Sequence, residues 1–301
     1  MEICSYCDRK NWDSGVQRKT SHMDFGLFKQ LVDEVATMEP VPAITVSYEG
    51  ESTLNPNFVR MLEYLKKKRV RPWITIRPEY SHKQELKAII ENCSAVSVSM
   101  ELLDTSCGAK IIDQLLELKS SKNSNLEISV NHTLCPPYEL VSPLVIKFVN
   151  RFIEKVHEIY LWKKIEYGAS ITHSDTNGIV DHLKRRKVCK QPFSFFAILS
   201  DGRVSPCCNT SRVLLKTIDA SMGIKAVLSS PEYGKFLEDH ENITLKQYIC
   251  KKCTLWIDEW LGDEKIMLSL SEGKMVEVFL EGNTFRIKGS LRKRDKQEKG
   301  K

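Results

Sequence analysis

Over the first half of the chain, short β-branched runs alternate with stretches whose apolar residues recur every three or four positions. The runs are 43–47 (AITVS), 73–77 (WITIR), 95–99 (AVSVS), 127–131 (EISVN) and 158–162 (EIYLW), with starts 22 to 32 residues apart. Between them lie amphipathic stripes: Phe25, Phe28, Leu31, Val32 and Val35; Phe58, Met61, Leu62 and Leu65; Leu86, Ile89 and Ile90; Ile111, Ile112, Leu115 and Leu116; Val145, Phe148 and Phe152. A stripe at that spacing covers one helix face, and Asp24 is placed to cap the first. Strand and helix alternating at this period predict βα units in a parallel sheet or barrel. The runs read as near-continuous apolar segments, which predicts a sheet covered on both faces.

The rhythm stops after about Gly168. Residues 175–186 read as a helix capped by Asp175, 193–199 as a strand, Ser200-Asp201-Gly202 as a turn and Val204 as the start of a return strand. Residues 233–238 and 255–260 read as helical. The runs 275–280 and 284–288 flank Glu281-Gly282-Asn283, the pattern of a hairpin. With no βα repeat, this part reads as a separate, smaller domain. The expected division is a barrel over 1–168, a cysteine-rich α+β domain over 169–262, a hairpin over 263–290 and a tail over 291–301.

Charge changes little in this picture. Net charge is +6 over 301 residues, and residues 286–301 carry eight basic and two acidic side chains, so the rest is neutral. The body offers no basic patch for nucleic acid, and the tail reads as disordered and solubilising. No apolar run is long enough to cross a bilayer and no signal peptide is evident. The expected location is the cytoplasm, where ten cysteines are better read as metal or cluster ligands than as disulfides.

The chemistry concentrates in those cysteines. Cys189 is followed 18 positions later by Cys207, with Asp201-Gly202 between them, and Cys250 and Cys253 form a C-x-x-C. A hairpin would bring the first two together, and the C-x-x-C supplies two more thiolates on one loop. Four thiolates close either a tetrahedral zinc site or a [4Fe–4S] cluster. Zinc ribbons generally use two C-x-x-C knuckles and only one pair here has that spacing, which tilts the choice toward the cluster.

A cysteine, a strand, a Gly-x4-Cys step from Gly202 to Cys207 and a later C-x-x-C resemble the SPASM/twitch extension of radical S-adenosylmethionine (SAM) enzymes. With no cysteine after Cys253, the shorter twitch form is the nearer likeness; residues 223–238 resemble its linker helices. The resemblance implies that Cys189, Cys207, Cys250 and Cys253 hold an auxiliary [4Fe–4S] cluster, with Cys208 a neighbour and not a ligand. It implies an α/β fold: a partial (βα)6 TIM-like barrel lacking its first strand, then a small cysteine-rich α+β domain. Cys4, Tyr6 and Cys7 match the end of the family's C-x3-C-x2-C loop, which holds the SAM-binding [4Fe–4S] cluster. The first cysteine of that loop would fall one position before Met1, so the expectation is a chain truncated at its N-terminus.

Residues 48–56 (YEGESTLNP) follow a predicted strand and resemble the G-G-E-P loop that binds the SAM amino group. Glu49 and Ser52 depart from the pattern, while Gly50 and Glu51 match it. Ser97, Ser99 and Glu101 resemble the ribose-binding strand; Asn131, Lys163, Lys164 and Arg77 stand at other strand ends. The implied cofactor contacts are Tyr6, Glu49, Gly50, Glu51, Ser52, Ser99 and Asn131. The implied activity is formation of a 5′-deoxyadenosyl radical from SAM that oxidises or crosslinks a peptide or small-molecule substrate. An auxiliary cluster would accept an electron, and an external donor such as flavodoxin or ferredoxin would supply one. The alternative is a non-catalytic iron–sulfur or zinc protein with a structural or redox-sensing role.

Overall fold

In the computed structural model, the residues described are 22–47, 50–101, 105–134, 140, 142–163, 187–207, 222–246, 250, 264–270, 274–281, 284–288 and 292–293. They fall into two compact units: residues of 22–41 and 187–250 form one, and residues of 42–163 and 264–293 the other. The expected division at residue 168 gives way to one in which both ends cross over. The segment 22–41 groups with the cysteine-rich region, and the C-terminal strands group with the βα part.

In the βα unit, strands β1 (Trp73–Ile76), β2 (Ala95–Ser99), β3 (Glu127–Leu134) and β4 (Glu158–Lys163) run parallel in sequence order. Helices α2 (Phe58–Lys67), α3 (Lys83–Asn92), α4 (Ser106–Ser121) and α5 (Pro143–Phe152) follow the predicted stripes. Their buried residues include Leu62 and Leu65 of α2, Ile89 of α3, Ile112 and Leu115 of α4, and Phe148 and Phe152 of α5. Ser142 caps α5 by accepting from the Val145 amide, with Pro143 at the first position, where a missing N–H costs nothing.

Two expectations about this sheet are corrected. The first run, 43–47, is not a strand but a single parallel bridge, Thr45 to Trp73. Past the bridge a side chain takes over from the ladder: Ser47 Oγ accepts from the Thr75 amide at 3.0 Å and donates to the Thr75 carbonyl at 2.9 Å. The sheet is also not apolar on both sides. Ile74, Ile76, Val96, Val98, Ile128, Val130, Ile159 and Leu161 are buried. The alternating positions Thr75, Ser97, Ser99, Ser129, Asn131, Thr133, Glu158 and Tyr160 carry polar groups on the opposite face. The apolar runs alternate with period two; they are core on one side only.

The C-terminal strands join this sheet. β7 (Glu264–Ser269), β8 (Lys274–Glu281), β9 (Thr284–Lys288) and β10 (Arg292–Lys293) form antiparallel pairs, and β9 lies antiparallel to β4. The hairpin of 275–288 is present, but as a continuation of the βα sheet. Arg292 and Lys293 pair with Met275 and Lys274, so the tail is ordered at those two positions. Among the described residues the parallel part has four strands and its ends do not close on each other.

His132 of β3 lies on the apolar side, next to Phe148, with Nδ1 donating to the Met100 carbonyl at 2.9 Å. Burial pushes its pKa below the usual 6.5, against the raising effect of that hydrogen bond. The folded state therefore binds this proton less readily than the unfolded chain. The resulting stability is complete above pH 6.5 and is lost as pH falls below it. Denaturant unfolding at pH 7.5 and 5.0 should show a larger loss in the native protein than in His132→Leu; an equal loss would refute the assignment.

In the other unit, α1 (Phe25–Val35) starts where Asp24 accepts from the Gly26 and Leu27 amides, as its sequence position predicts. The segment 193–199 is only partly a strand. Gln191–Ser194 form a short helical turn, α6, and the strand β5 is limited to Ala197–Ile198, paired with β6 (Val204–Ser205). Pro192 explains the difference: its fixed φ suits the first turn of a helix, and it lacks the N–H a ladder needs. The helices α7 (Ile224–Leu228) and α8 (Pro231–Glu241) fill the predicted linker. Glu34 of α1 caps α7 from a distance, accepting from the Ile224 and Lys225 amides at 2.6 Å each. Gly223, at φ +89°, leads into that cap, and a Cβ there would meet Glu34 Oε2 at 3.0 Å. Glu34→Ala should cost about 1–2 kcal/mol, since it strands two helix-start amides. Glu34→Gln should cost less in the same denaturant titration, and equal losses would argue against the cap.

Candidate functional site

The cysteine-rich unit is built on a small apolar core of Val204, Val227, Tyr233 and Phe236, flanked by Phe196, Ile198, Leu237 and Cys250. Three of the four proposed ligands attach to this frame. Cys189 precedes α6, which is tied to α8 by the Tyr233 hydroxyl donating to the Pro192 carbonyl at 2.9 Å. Cys207 follows β6, and the wholly buried Ser205 donates through Oγ to the Cys207 carbonyl at 3.2 Å. Cys250 packs on the core itself. The β5–β6 turn is held by Arg203, whose guanidinium donates to Asp201 at 2.8 Å, and by the Leu199 amide donating to the Arg203 carbonyl at 2.8 Å.

These three cysteines are half-buried and form no disulfide, as thiolate ligands must be. Among the described residues no three His, Cys, Asp or Glu side chains converge as a metal site. Cys4, Tyr6, Cys7, Glu49, Lys164, Cys208 and Cys253 lie outside the described residues, as do the predicted helices at 175–186 and 255–260. Cys93 is a core residue and not a ligand: burial pushes its thiol up to about 12, against the nearby Arg71 charge.

In the βα unit the candidate loop is a compact hydrogen-bonded turn. Gly50 takes φ +142°, which a side chain rarely adopts. The Glu51 carboxylate accepts from the Thr53 hydroxyl at 2.6 Å, the Thr53 amide at 3.1 Å and the Arg77 amide at 2.8 Å. It thereby caps the turn Ser52–Leu54 and fastens it to the end of β1. Burial pushes its pKa up, and those hydrogen bonds pull the other way. Ser52 Oγ donates to the Val46 carbonyl at 2.6 Å. Glu51 and Ser52 therefore shape the loop with their side chains.

The strand ends meet on the polar face. Asn131, 8% exposed, donates through Nδ2 to Ser97 Oγ at 2.7 Å, and Ser99 pairs in register with Asn131. Arg77 forms an ion pair with Glu79 at 3.2 Å. Glu101 beside them has its pKa raised by burial and by Glu79, with Arg77 opposing. Lys163 ends β4.

Sequence reasoning missed the continuation of this face. Tyr160 donates to Glu158; Arg286, brought by β9, donates to Glu158 at 3.1 Å and through Nε to Glu281 at 2.8 Å. Burial and the Glu158 carboxylate hold the Tyr160 hydroxyl well above the usual tyrosine range. The alternation of EIYLW could have singled out Glu158, Tyr160 and Trp162. The 128 residues separating Glu158 from Arg286 left no local signal for their pairing.

Residues 189–254 match SPASM, an iron–sulfur cluster-binding domain. The fold is similar to that of BtrN in complex with AdoMet and 2-DOIA, at 16% identity and TM-score 0.54, covering 83% of this chain and 86% of that one. It is also similar to SuiB of Streptococcus suis bound to S-adenosylmethionine, at 13% identity and TM-score 0.54, covering 81% of this chain and 66% of that one. SuiB bound to the precursor peptide SuiA gives 13% identity and TM-score 0.53 over 85% of this chain and 67% of that one. Comparison with curated protein sequences gave no match. At such identities the structural likeness establishes a shared fold, a mixed α/β arrangement whose sheet has parallel strands β1–β4 continued by antiparallel ones. Fold and domain match together bear out the resemblance to radical SAM enzymes with a SPASM-type domain.

Proposed function

We propose that the chain is a radical SAM enzyme that oxidises or crosslinks a peptide or a small molecule, with an auxiliary [4Fe–4S] cluster as electron acceptor. The observation that carries this reading is the SPASM match over 189–254, the segment that contains Cys189, Cys207, Cys250 and Cys253. Cys250 packs on the small core, Cys189 and Cys207 flank the short elements α6 and β6, none of the three forms a disulfide, and a set of soft sulfur donors suits iron–sulfur ligation. Cys4 and Cys7 are assigned to the SAM-binding cluster, with Tyr6 beside them. When bound, that cluster and SAM supply a 5′-deoxyadenosyl radical, and the chemistry is theirs.

The chain's own residues bind and orient. Glu51 and Ser52 hold the loop from Gly50 onward in place, and its backbone, together with Glu49, is assigned to the SAM amino group. Ser99 and Asn131 are assigned to the ribose hydroxyls, Asn131 held in place by Ser97. These groups lie toward the C-terminal ends of parallel strands, where open α/β sheets and barrels bind their ligands. The barrel reading is supported by the order of β1–β4. The structures of SuiB with SuiA and of BtrN with 2-DOIA support a peptide or a small-molecule substrate respectively. A flavodoxin or ferredoxin is the proposed electron donor. Ten cysteines read as metal or cluster ligands support a cytoplasmic location, and no helix among the described residues is long and apolar enough to cross a membrane.

The test is anaerobic reconstitution with iron and sulfide, followed by reduction with SAM present and measurement of 5′-deoxyadenosine. Iron with sulfide and 5′-deoxyadenosine supports the proposal. Iron without 5′-deoxyadenosine selects the non-catalytic iron–sulfur reading, and zinc without iron selects a structural metal protein.

A further inference from the structure

The C-terminal strands, which follow the cysteine-rich segment in the sequence, pair with β4 and carry side chains onto its polar face. In register across β4, β9 and β8, one row holds Tyr160, Arg286 and Phe279, and the next, nearer the C-terminal end of β4, holds Trp162, Thr284 and Glu281. Trp162 is 44% exposed and stacks on Tyr160 with ring centres 6.0 Å apart and planes 21° apart. Tyr160 thereby backs the Trp162 indole, which presents the exposed aromatic surface of the pair. Beside it, the Arg286 guanidinium joins the Glu158 and Glu281 carboxylates, and the Tyr160 hydroxyl points at Glu158.

Each carboxylate is held by a charged partner, so the group is rigid. Arg286 also lies 5.6 Å from the Phe279 ring centre, a cation–π contact that further fixes it. Thr133 and Ser129, in register with Trp162 and Glu158, add hydroxyls. The surface thus has an exposed indole with donors and acceptors fixed beside it.

We propose that Tyr160, Trp162, Arg286 and Glu281 form the substrate wall of the site and select a polyhydroxylated ring. The axial C–H face of such a ring packs on an aromatic plane, while its equatorial hydroxyls need donors and acceptors at the plane's edge. Glu158 and Glu281 accept, and Arg286 donates. The C-terminal strands become a specificity element, a role their sequence position does not suggest. This inference rests on reading the polar face as the reacting side, but it is tested by binding alone.

Saturation-transfer NMR on the reconstituted chain would use D-glucose and myo-inositol as ring probes and triglycine as a peptide probe. Transfer to either ring is expected in the native protein and in Trp73→Ala, which alters an equally exposed tryptophan at the other end of the polar face. Transfer should disappear in Trp162→Ala and in Arg286→Ala. If Arg286→Ala fails to fold, Trp162→Ala decides, since its side chain is exposed. Absence of transfer to both rings, undiminished transfer in Trp162→Ala, or a stronger signal from triglycine overturns the proposal. Ring binding without 5′-deoxyadenosine formation would leave this inference standing while the radical chemistry fell.

Discussion

Reconstituted Cys250→Ala protein should bind one cluster's worth of iron less than the native chain and unfold at a clearly lower temperature. The reason is linkage: a metal site absent from the unfolded chain returns its binding free energy as folding free energy, on the order of 10 kcal/mol for structural sites. Loss of one thiolate in four should forfeit about 3 kcal/mol or more of that, or roughly 10 °C in a domain of this size. Cys250 also packs on the core of Val204, Val227, Tyr233 and Phe236, so the substitution has a packing cost of its own. The two contributions separate by comparing apo-proteins, where only the packing loss of about 1 kcal/mol remains. Cys250→Ser keeps the volume and replaces a strong sulfur ligand by a weak oxygen one, so it should resemble alanine in iron content and the native chain in apo-stability. Native iron content in either variant would remove Cys250 from the ligand set.

The second large effect is expected at Glu51. Its carboxylate accepts three hydrogen bonds, two from Thr53 and one from the Arg77 amide 26 positions away. Glu51→Ala leaves two amides and a hydroxyl without their acceptor in a half-buried turn, at about 1–3 kcal/mol for each group that water cannot reach. A total of about 2–4 kcal/mol follows from partial rehydration. Because the same contacts join the 48–56 loop to β1, SAM binding measured by equilibrium dialysis should fall at least tenfold. Glu51→Gln keeps one acceptor oxygen and should lie between alanine and the native residue in both measurements. Loss of stability with native SAM affinity would show that the loop is architectural and binds nothing.

The pKa shift at Glu51 gives the accompanying pH dependence. Burial raises the folded-state value above 4.5, so the folded protein holds this proton more tightly than the unfolded chain. Its contribution favours folding at pH below 4.5 and is lost as pH rises through the raised value. The His132 effect runs the other way, being lost as pH falls below 6.5, so the single variants tell the two apart by the sign of their pH dependence.

Much of the local helical structure was legible in the chain. Helical stripes such as Phe58, Met61, Leu62 and Leu65 name their own buried faces, and Asp24 and Ser142 act as caps for local reasons. The cysteine spacing alone marks the segment that matches an iron–sulfur cluster-binding domain. Other elements were legible and misread: EISVN and WITIR alternate, yet their apolar content suggested a sheet buried on both sides. The short helical turn at Gln191–Ser194 was hidden in an aromatic run whose Pro192 should have signalled it.

What the sequence by itself determined was local: periodicity, capping and the spacing within the pairs Cys189/Cys207 and Cys250/Cys253 act over fewer than about twenty residues, through backbone geometry that neighbouring side chains set. The tertiary structure alone decided which distant pieces complete one another. Glu34 caps a helix 190 residues away, and Arg286 meets Glu158 across 128 residues. Such pairs follow from the ladder register of β9 on β4 and the packing of α1 near α7, which bury apolar area first and bring the charges together as a consequence. A charged residue carries no mark of its distant partner, because the attraction between them acts only after the fold has closed the distance.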